Sequence, residues 1–452
     1  MPDLSGTIVA EATPAARGSL RVLRLSGTRS FDILKAAFVP LEGIPPWEAP
    51  RSLVLGSALG ASGKAVDRGM AVCFPGPRSL TGEDVVELHL HGAPGVVRAV
   101  LETLVGAGGR PALPGEFSFR AWVNGKCSLL DAEAVQALVG SETEGQASRL
   151  AAAGLGRAFQ GEVESLREAL MDLKTRLEAR VDFPEDAGAG DAAGEDALLD
   201  EAEGRLSGLI SSARSVRSLR SGFRVALVGP PNVGKSALFN ALLKRERALV
   251  TPHPGTTRDV LEETLEVAGL PVTICDTAGI RETEEPVERL GVARSLEAAS
   301  GSDGAVMVYG LDKGWDAEAE GARARLGSQP ILVAANKADL HVHAAARPSD
   351  VRVSALTGEG LGALVDALGR WVAERTPRPG PHPYALRHVE SLREARDACR
   401  RAANARREGL SEEYVVQGVG DAVDALDDLL TGGPGDPEEL YERIFSSFCI
   451  GK

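Results

Sequence analysis

Val225-Ala-Leu-Val-Gly-Pro-Pro-Asn-Val-Gly-Lys-Ser236 is the stretch that decides the fold. Its apolar start is short enough for a buried strand and ends at Gly229. The residues from Gly229 to Ser236 fit G-x-x-x-x-G-K-[ST], and Ala237 to Leu243 reads as the start of a helix. Strand, glycine-rich loop and helix in that order make a phosphate cradle. Gly229 and Gly234 let backbone N–H groups turn inward on an anion, the helix N-terminus adds partial positive charge, and Lys235 adds a full one. Ser236 is the candidate magnesium ligand.

Downstream, residues 222–375 alternate strands with helices. Val225–Val228, Val272–Cys275, Gly304–Tyr309, Ile331–Ala335 and Val351–Ser354 are the expected strands, and the alternation predicts a mostly parallel sheet covered on both faces. Four further elements follow the loop in the order that a guanine-nucleotide hydrolase requires. Gly255-Thr-Thr-Arg-Asp supplies Thr257, a second candidate magnesium ligand. Asp276-Thr-Ala-Gly follows a strand, with Asp276 placed to hold the metal through water and the Gly279 N–H to face the γ-phosphate. Asn336-Lys-Ala-Asp places Asp339 to accept from N1–H and the 2-amino group of guanine, which adenine lacks, and Ser354-Ala-Leu is the loop expected beside guanine O6. The nucleotide-contact set is therefore Asn232, Val233, Gly234, Lys235, Ser236 and Ala237; Thr251, Pro252, His253, Pro254, Gly255, Thr256 and Thr257; Asp276, Thr277, Ala278 and Gly279; Asn336, Lys337 and Asp339; and Ser354, Ala355 and Leu356.

One position departs from the Ras-type pattern. A glutamine just after the glycine of D-x-x-G orients water in those enzymes, and here the residue is Ile280. Glu282, Glu284, Glu285 and Glu288 are polar candidates downstream. Asn232 and backbone oxygens of the Thr251–Pro254 loop offer a place for a monovalent cation, where other enzymes use an arginine.

At 452 residues the chain exceeds one core. Its hydrophobic fraction is 43% and its charged fraction 25%, a globular profile, and a net charge of −14 argues against a surface coated for nucleic acid. Five scattered cysteines without C-x-x-C suggest neither a zinc site nor a disulfide framework, and no signal peptide or spanning apolar run is seen, so a reducing cytoplasm is expected. Residues 1–119 read as a mixed α and β region in which Val86, Leu88 and Leu90 share one strand face and Glu87, His89 and His91 the other. That histidine pair lacks a third ligand at a diagnostic spacing and reads as a polar sheet face. Helical character begins at Ala132, and Ser141 to Arg180 continues it, with an apolar stripe through Phe159, Val163, Leu166, Leu170, Leu173, Leu177 and Val181. Ala187 to Asp200 reads as an acidic loop. Helices return over Leu392–Arg407 and Val415–Leu429. Arg393, Arg396, Arg400 and Arg407 fall on one helical face, equally suited to phosphates and to the chain's own carboxylates. The expected architecture joins α/β and all-α parts: an N-terminal α+β domain over 1–119, a helical domain over 120–221 and 379–452, and the P-loop domain inserted at 222–378.

Segments outside the nucleotide motifs carry a resemblance. Thr7-Ile-Val-Ala-Glu-Ala-Thr-Pro, Leu80-Thr-Gly-Glu-Asp-Val-Val-Glu-Leu, Pro114-Gly-Glu-Phe-Ser-Phe-Arg-Ala-Trp-Val-Asn-Gly-Lys and the terminal Ile444-Phe-Ser-Ser-Phe-Cys-Ile-Gly-Lys resemble the tRNA-modification GTPase family MnmE (TrmE). The resemblance implies a GTP hydrolase that is stimulated by potassium and builds a 5-carboxymethylaminomethyl or aminomethyl group on the wobble uridine of tRNA. It further implies a homodimer, an FAD-containing partner, MnmG (GidA), in a heterotetramer-type complex, no membrane, and 5-formyltetrahydrofolate or a related tetrahydrofolate bound by the N-terminal domain. Carried over by motif, the folate contacts fall on Arg24, Glu87, Lys126 and Lys452, the potassium ligands on Asn232, Thr251, His253 and Thr256, and the catalytic carboxylate on Glu288. A ribosome-assembly GTPase of Era or Der type is the alternative. It shares Thr-Thr-Arg-Asp and Asp-Thr-Ala-Gly, but it would carry a basic RNA-binding module that this acidic chain does not display.

Overall fold

A computed structural model describes residues 4–14, 18–152, 156–183, 192–245, 261–276, 301–327, 329–377, 380–433 and 437–451. The chain divides into two compact units, 1–136 with 424–452, and 137–423.

The first unit is built on a seven-stranded sheet. Its elements are β1 (Ile8–Glu11), β2 (Leu20–Ser26), α1 (Ser30–Ala37), β3 (Phe38–Pro40), β4 (Val54–Leu59), β5 (Ala65–Phe74), β6 (Val85–His91), α2 (Pro94–Gly106), β7 (Arg110–Pro111), α3 (Glu116–Val123) and the start of α4 (Leu129–Val139). Strand order is β3-β4-β5-β6-β2-β1-β7, antiparallel except for the β1–β7 pair. Alternation fixes which face is dry. On β6, Val86, Leu88 and Leu90 are fully buried, and they pack with Leu23 and Leu25 of β2 beneath Ile33 and Leu34 of α1 and Val97, Val100 and Leu104 of α2. Pro94 opens α2 where a missing N–H costs nothing. The other face carries Arg24 opposite Glu87, and His91 there meets Asp67 at 2.7 Å, the polar sheet face expected.

A second apolar cluster in this unit packs the C-terminal segment against α3. Phe119 meets Tyr441 and Phe445 edge-on at 5.2 and 5.3 Å, with Leu129, Leu440 and Phe448 around them.

The second unit joins helices to a six-stranded sheet. Helices α5 (Glu144–Ala152), α6 (Arg157–Asp182) and α7 (Ala192–Ser221) lead into β8 (Phe223–Val228), α8 (Lys235–Arg245), β9 (Leu261–Val267), β10 (Leu270–Asp276), β11 (Gly304–Gly310), α9 (Ala317–Arg325), β12 (Ile331–Asn336), β13 (Val351–Arg352) and α10 (Leu361–Arg375), followed by α11 (Leu386–Arg407) and the start of α12 (Glu412–Thr431). The order β13-β12-β11-β8-β10-β9 is parallel except for edge strand β9, so the sheet is mostly parallel as the alternation predicts. Strand β9 was not among the expected strands, because its glutamates at 262, 263 and 266 interrupt the apolar pattern. Such charges suit an edge strand, and Leu265 and Val267 of it are buried in the core.

The helical character expected over Ser141–Arg180 is carried by α5 and α6, and one expectation is corrected. The expected acidic loop to Asp200 is helical from Ala192, while 187–191 lie outside the described residues. Its helix is held by an ion cluster: Glu195 accepts from Arg180 Nη1 and Nη2 at 2.6 and 2.8 Å and from Arg406 Nη2 at 2.6 Å. The Arg180 hydrogen bond, working against burial with Arg406 as a second donor, holds the Glu195 carboxyl at about 2. On the arginine face of α11, Arg396 binds Asp397, Arg400 binds Glu203 and Arg407 binds Asp200, carboxylate partners within the chain.

Thr143 and Gln146 tie α5 to its neighbours, donating from Oγ1 to Gly269 O at 2.7 Å and from Nε2 to Leu219 O at 2.8 Å.

Candidate functional site

The described nucleotide motifs follow the carboxyl ends of β8, β10, β12 and β13, the end of an open parallel sheet where ligands bind. Gly229 has φ +157°, and a Cβ there would meet Val308 O at 2.0 Å, so only glycine fits between the strands. A Cβ on Gly234, with φ +91°, would meet Asn336 Nδ2 at 2.5 Å. Asn232 lies exposed at φ +60°. Lys235 is 8% exposed and donates to the carbonyls of Gly229 and Pro230 at 3.0 and 2.8 Å. Burial lowers its pKa while the charge of Asp276, itself 1% exposed, works the other way. The ammonium is thus folded back over its own loop, and a phosphate offers it a stronger, charge-assisted acceptor than a carbonyl. Ser236 opens α8 and is exposed, as is Ala237.

Asn336 stitches the site together. Its Nδ2 donates to Val233 O at 2.8 Å and its Oδ1 accepts from Ala355 N at 3.0 Å, so one buried amide joins three of the expected loops. Asp339 Oδ1 accepts from Ser354 Oγ at 2.5 Å, and Ser354 Oγ accepts in turn from Thr357 N at 3.1 Å. The second oxygen of an exposed carboxylate held this way is available to paired N–H donors such as guanine presents. Leu356 is 86% exposed beside it. Thr251, Pro252, His253, Pro254, Gly255, Thr256, Thr257, Thr277, Ala278, Gly279 and Glu288 lie outside the described residues.

A separate group forms in the first unit. Arg24 donates from Nε and Nη2 to Glu87 Oε1 at 3.0 and 2.8 Å and from Nη1 to Gly451 O at 3.1 Å, with Phe117 5.9 Å beneath the guanidinium. A Cβ on Gly451 would meet Glu11 O at 2.4 Å, and this close approach is what brings the tail to Arg24. Lys126 is placed differently, donating to Pro77 O at 2.8 Å, and Lys452 lies outside the described residues.

The comparisons with known proteins address both units. A family model described as the GTP-binding protein TrmE N-terminus matches residues 7–126, and one described as the MnmE helical domain matches residues 129–449. A tRNA modification GTPase MnmE of Myxococcus xanthus is 42% identical over 457 residues, covering 100% of both chains. Another, from Synechococcus sp. strain WH7803, is 40% identical and covers 99% of this chain and 98% of its own. The chain belongs to the MnmE family of tRNA modification GTPases. It is a GTP hydrolase. The ribosome-assembly alternative is not favoured by relatives that match from end to end. A crystal structure of Era from Aquifex aeolicus with GDP and aluminium fluoride covers 39% of this chain and 66% of its own at 24% identity, with a TM-score of 0.27 too low to bear on the comparison.

The MnmE-type motif around Pro114 holds a cluster that the sequence reading passed over. Arg120, 1% exposed, donates to both oxygens of Glu83 at 3.1 Å, to Glu116 Oε1 at 3.0 Å and to Gly6 O at 2.8 Å. Ser26 Oγ donates to Glu83 Oε2 at 2.6 Å, so the network reaches β2, two residues from Arg24. The signal was present as Glu116 and Arg120 four apart on one helix, but burial is not legible from spacing. Among the described residues no group of three or more metal-ligating side chains occurs, and no helix is long and apolar enough to cross a membrane.

Proposed function

We propose that this chain is a potassium-stimulated GTP hydrolase that installs the 5-carboxymethylaminomethyl, or aminomethyl, group on the wobble uridine of tRNA. It acts as a homodimer in the cytoplasm, with an FAD-containing partner of the MnmG type in a heterotetramer-type complex and a tetrahydrofolate such as 5-formyltetrahydrofolate as one-carbon donor. The observation that carries the reading is the guanine-side stitching by Asn336, Asp339 and Ser354 in a chain whose relatives, named tRNA modification GTPases, match over its whole length.

The groups implied are assigned to residues of this chain as follows. The loop from Asn232 to Ala237 cradles phosphates with backbone N–H groups and Lys235. Ser236 and Thr257 would ligate magnesium, and Asp276 would hold it through water. Asn232, Thr251, His253 and Thr256 would hold potassium, which would supply positive charge to the phosphates. By motif, Thr277 to Gly279 and Pro252 to Gly255 are assigned to the phosphate side of the nucleotide, and Lys337 with Ser354 to Leu356 to the base. On the folate side, Glu87 suits the amide and amino edge of a pterin, with Arg24 holding that carboxylate in place. Lys126 and Lys452 suit the anionic glutamate tail.

Two results follow. Asp339→Asn weakens GTP binding by a factor of about 10 or more and admits xanthosine nucleotides, because an amide donates to a 2-oxo group where a carboxylate cannot; competition binding with the two nucleotides reads it, and tight GTP binding by the variant would remove Asp339 from the base. Hydrolysis by the wild-type protein is much faster in potassium than in sodium, whose smaller radius leaves the same oxygens too far apart, and Asn232→Ala removes the difference. Equal wild-type rates in the two salts would end the potassium reading.

A further inference from the structure

We propose that Asp312 is a positioning residue for the guanine nucleotide, acting by fixing Lys337 as a wall of the base pocket. The topology brings the two together. Strands β11 and β12 are parallel with Gly310 paired to Asn336, and Leu311 N donates to Asn336 O at 2.9 Å. Asp312 and Lys337 therefore leave neighbouring strands at the same end of the sheet. Lys337 Nζ donates to Asp312 Oδ2 at 2.8 Å.

Three features separate this pair from an ordinary surface ion pair, which contributes little. First, Lys337 sits at φ +65°, a left-handed conformation that a lysine adopts only where its surroundings over-determine it. Second, Gly310 opens the slot in which the pair lies. A Cβ there would meet Asp312 Oδ1 at 2.4 Å and then Lys337 Cδ at 3.8 Å. Third, the turn bearing Asp312 is itself braced: Gly314 N donates to Gly310 O at 3.0 Å, His343 N to Leu311 O at 2.8 Å and Trp315 N to Ala345 O at 2.9 Å. Burial opposes ionisation of Asp312, but the Lys337 ammonium and nearby backbone N–H groups outweigh it and hold the carboxyl below its usual range.

A lysine has four rotatable side-chain bonds, and binding a flat base against its stem requires those bonds to be ordered. Asp312 orders them before the nucleotide arrives, so the cost is not charged against binding. The residue touches neither the phosphates nor the reacting water, and its effect belongs to affinity alone.

The experiment is a double-mutant cycle read by calorimetric titration of GDP with magnesium into the full chain, using the wild type, Asp312→Ala, Lys337→Ala and the double variant. Each single variant raises the Kd by ~10-fold, the scale of a charge-assisted hydrogen bond, and the double variant binds no more weakly than Lys337→Ala alone. Steady-state kinetics of Asp312→Ala show the rise in KM with kcat at the wild-type value. Asp312→Asn, which keeps an acceptor oxygen and loses the charge, falls between. Should Asp312→Ala fail to fold, judged by thermal unfolding of the nucleotide-free protein, the cycle is run with Asp312→Asn. Wild-type Kd in the Asp312 variant, or losses that simply multiply in the double variant, would overturn the assignment.

Discussion

Replacement of Glu288 by alanine lowers kcat for GTP hydrolysis by about 10²–10⁴-fold and leaves nucleotide affinity nearly intact. The expectation rests on what stands after the glycine of Asp276-Thr-Ala-Gly. The Ile280 side chain has no hydrogen-bonding group, so it cannot orient water as the Ras-type glutamine side chain does. A carboxylate that assists the attacking water, directly or through a second water, interacts more strongly with the transition state than with bound GTP. Its loss therefore appears in kcat and not in binding. Glu284→Ala is the control, since a solvated loop charge contributes little, and its rate stays close to the wild type. Should Glu288→Ala hydrolyse at the wild-type rate while Glu284→Ala does not, the catalytic carboxylate is the other one.

Arg120→Ala costs about 3–5 kcal/mol of stability, the price of breaking a buried ion pair by removing one partner. The Arg120 and Glu116 side chains are both 0% exposed, and Glu83 is 19% exposed. Removing the guanidinium leaves Glu116 to Arg110 and the Leu113 N–H, strips Glu83 of one of its partners and releases the Gly6 carbonyl. Urea unfolding reads this as a fall in the midpoint at unchanged slope. A loss below about 1 kcal/mol, the range of an ordinary surface substitution, would show that the cluster relaxes or admits water. Because Ser26 belongs to the same network and Arg24 lies two residues along β2, the variant also weakens tetrahydrofolate binding if that strand carries the folate contacts.

What the sequence made legible follows the physics of each part. The phosphate loop was readable because its chemistry is local: Gly229, Gly234 and Lys235 must stand at fixed spacing between a strand and a helix. The β6 face was readable because its period of two separates Val86, Leu88 and Leu90 from Glu87, His89 and His91. The α6 stripe was readable because its apolar residues recur every three or four positions, and Phe159 through Leu177 are buried. Illegible features depend on partners distant in the chain. Residues 192–200 look like an acidic loop until Glu195 is seen between Arg180 and Arg406. The partners of the α11 arginines, Glu203 beside Arg400 and Asp200 beside Arg407, come from another helix and are not visible in the spacing. Strand β9 looks too acidic until it is placed at an edge. Arg120 and Asp312 share this property, since each is defined by what another element brings to it.

The most direct test of the whole account is a mass spectrum of tRNA nucleosides from a strain in which this gene is deleted. The predicted result is loss of the 5-carboxymethylaminomethyl or aminomethyl group from wobble uridine, restored by the wild-type gene but not by Lys235→Ala, which lacks the cation that meets the phosphates. Deletion that leaves those modified uridines at their wild-type level would contradict it.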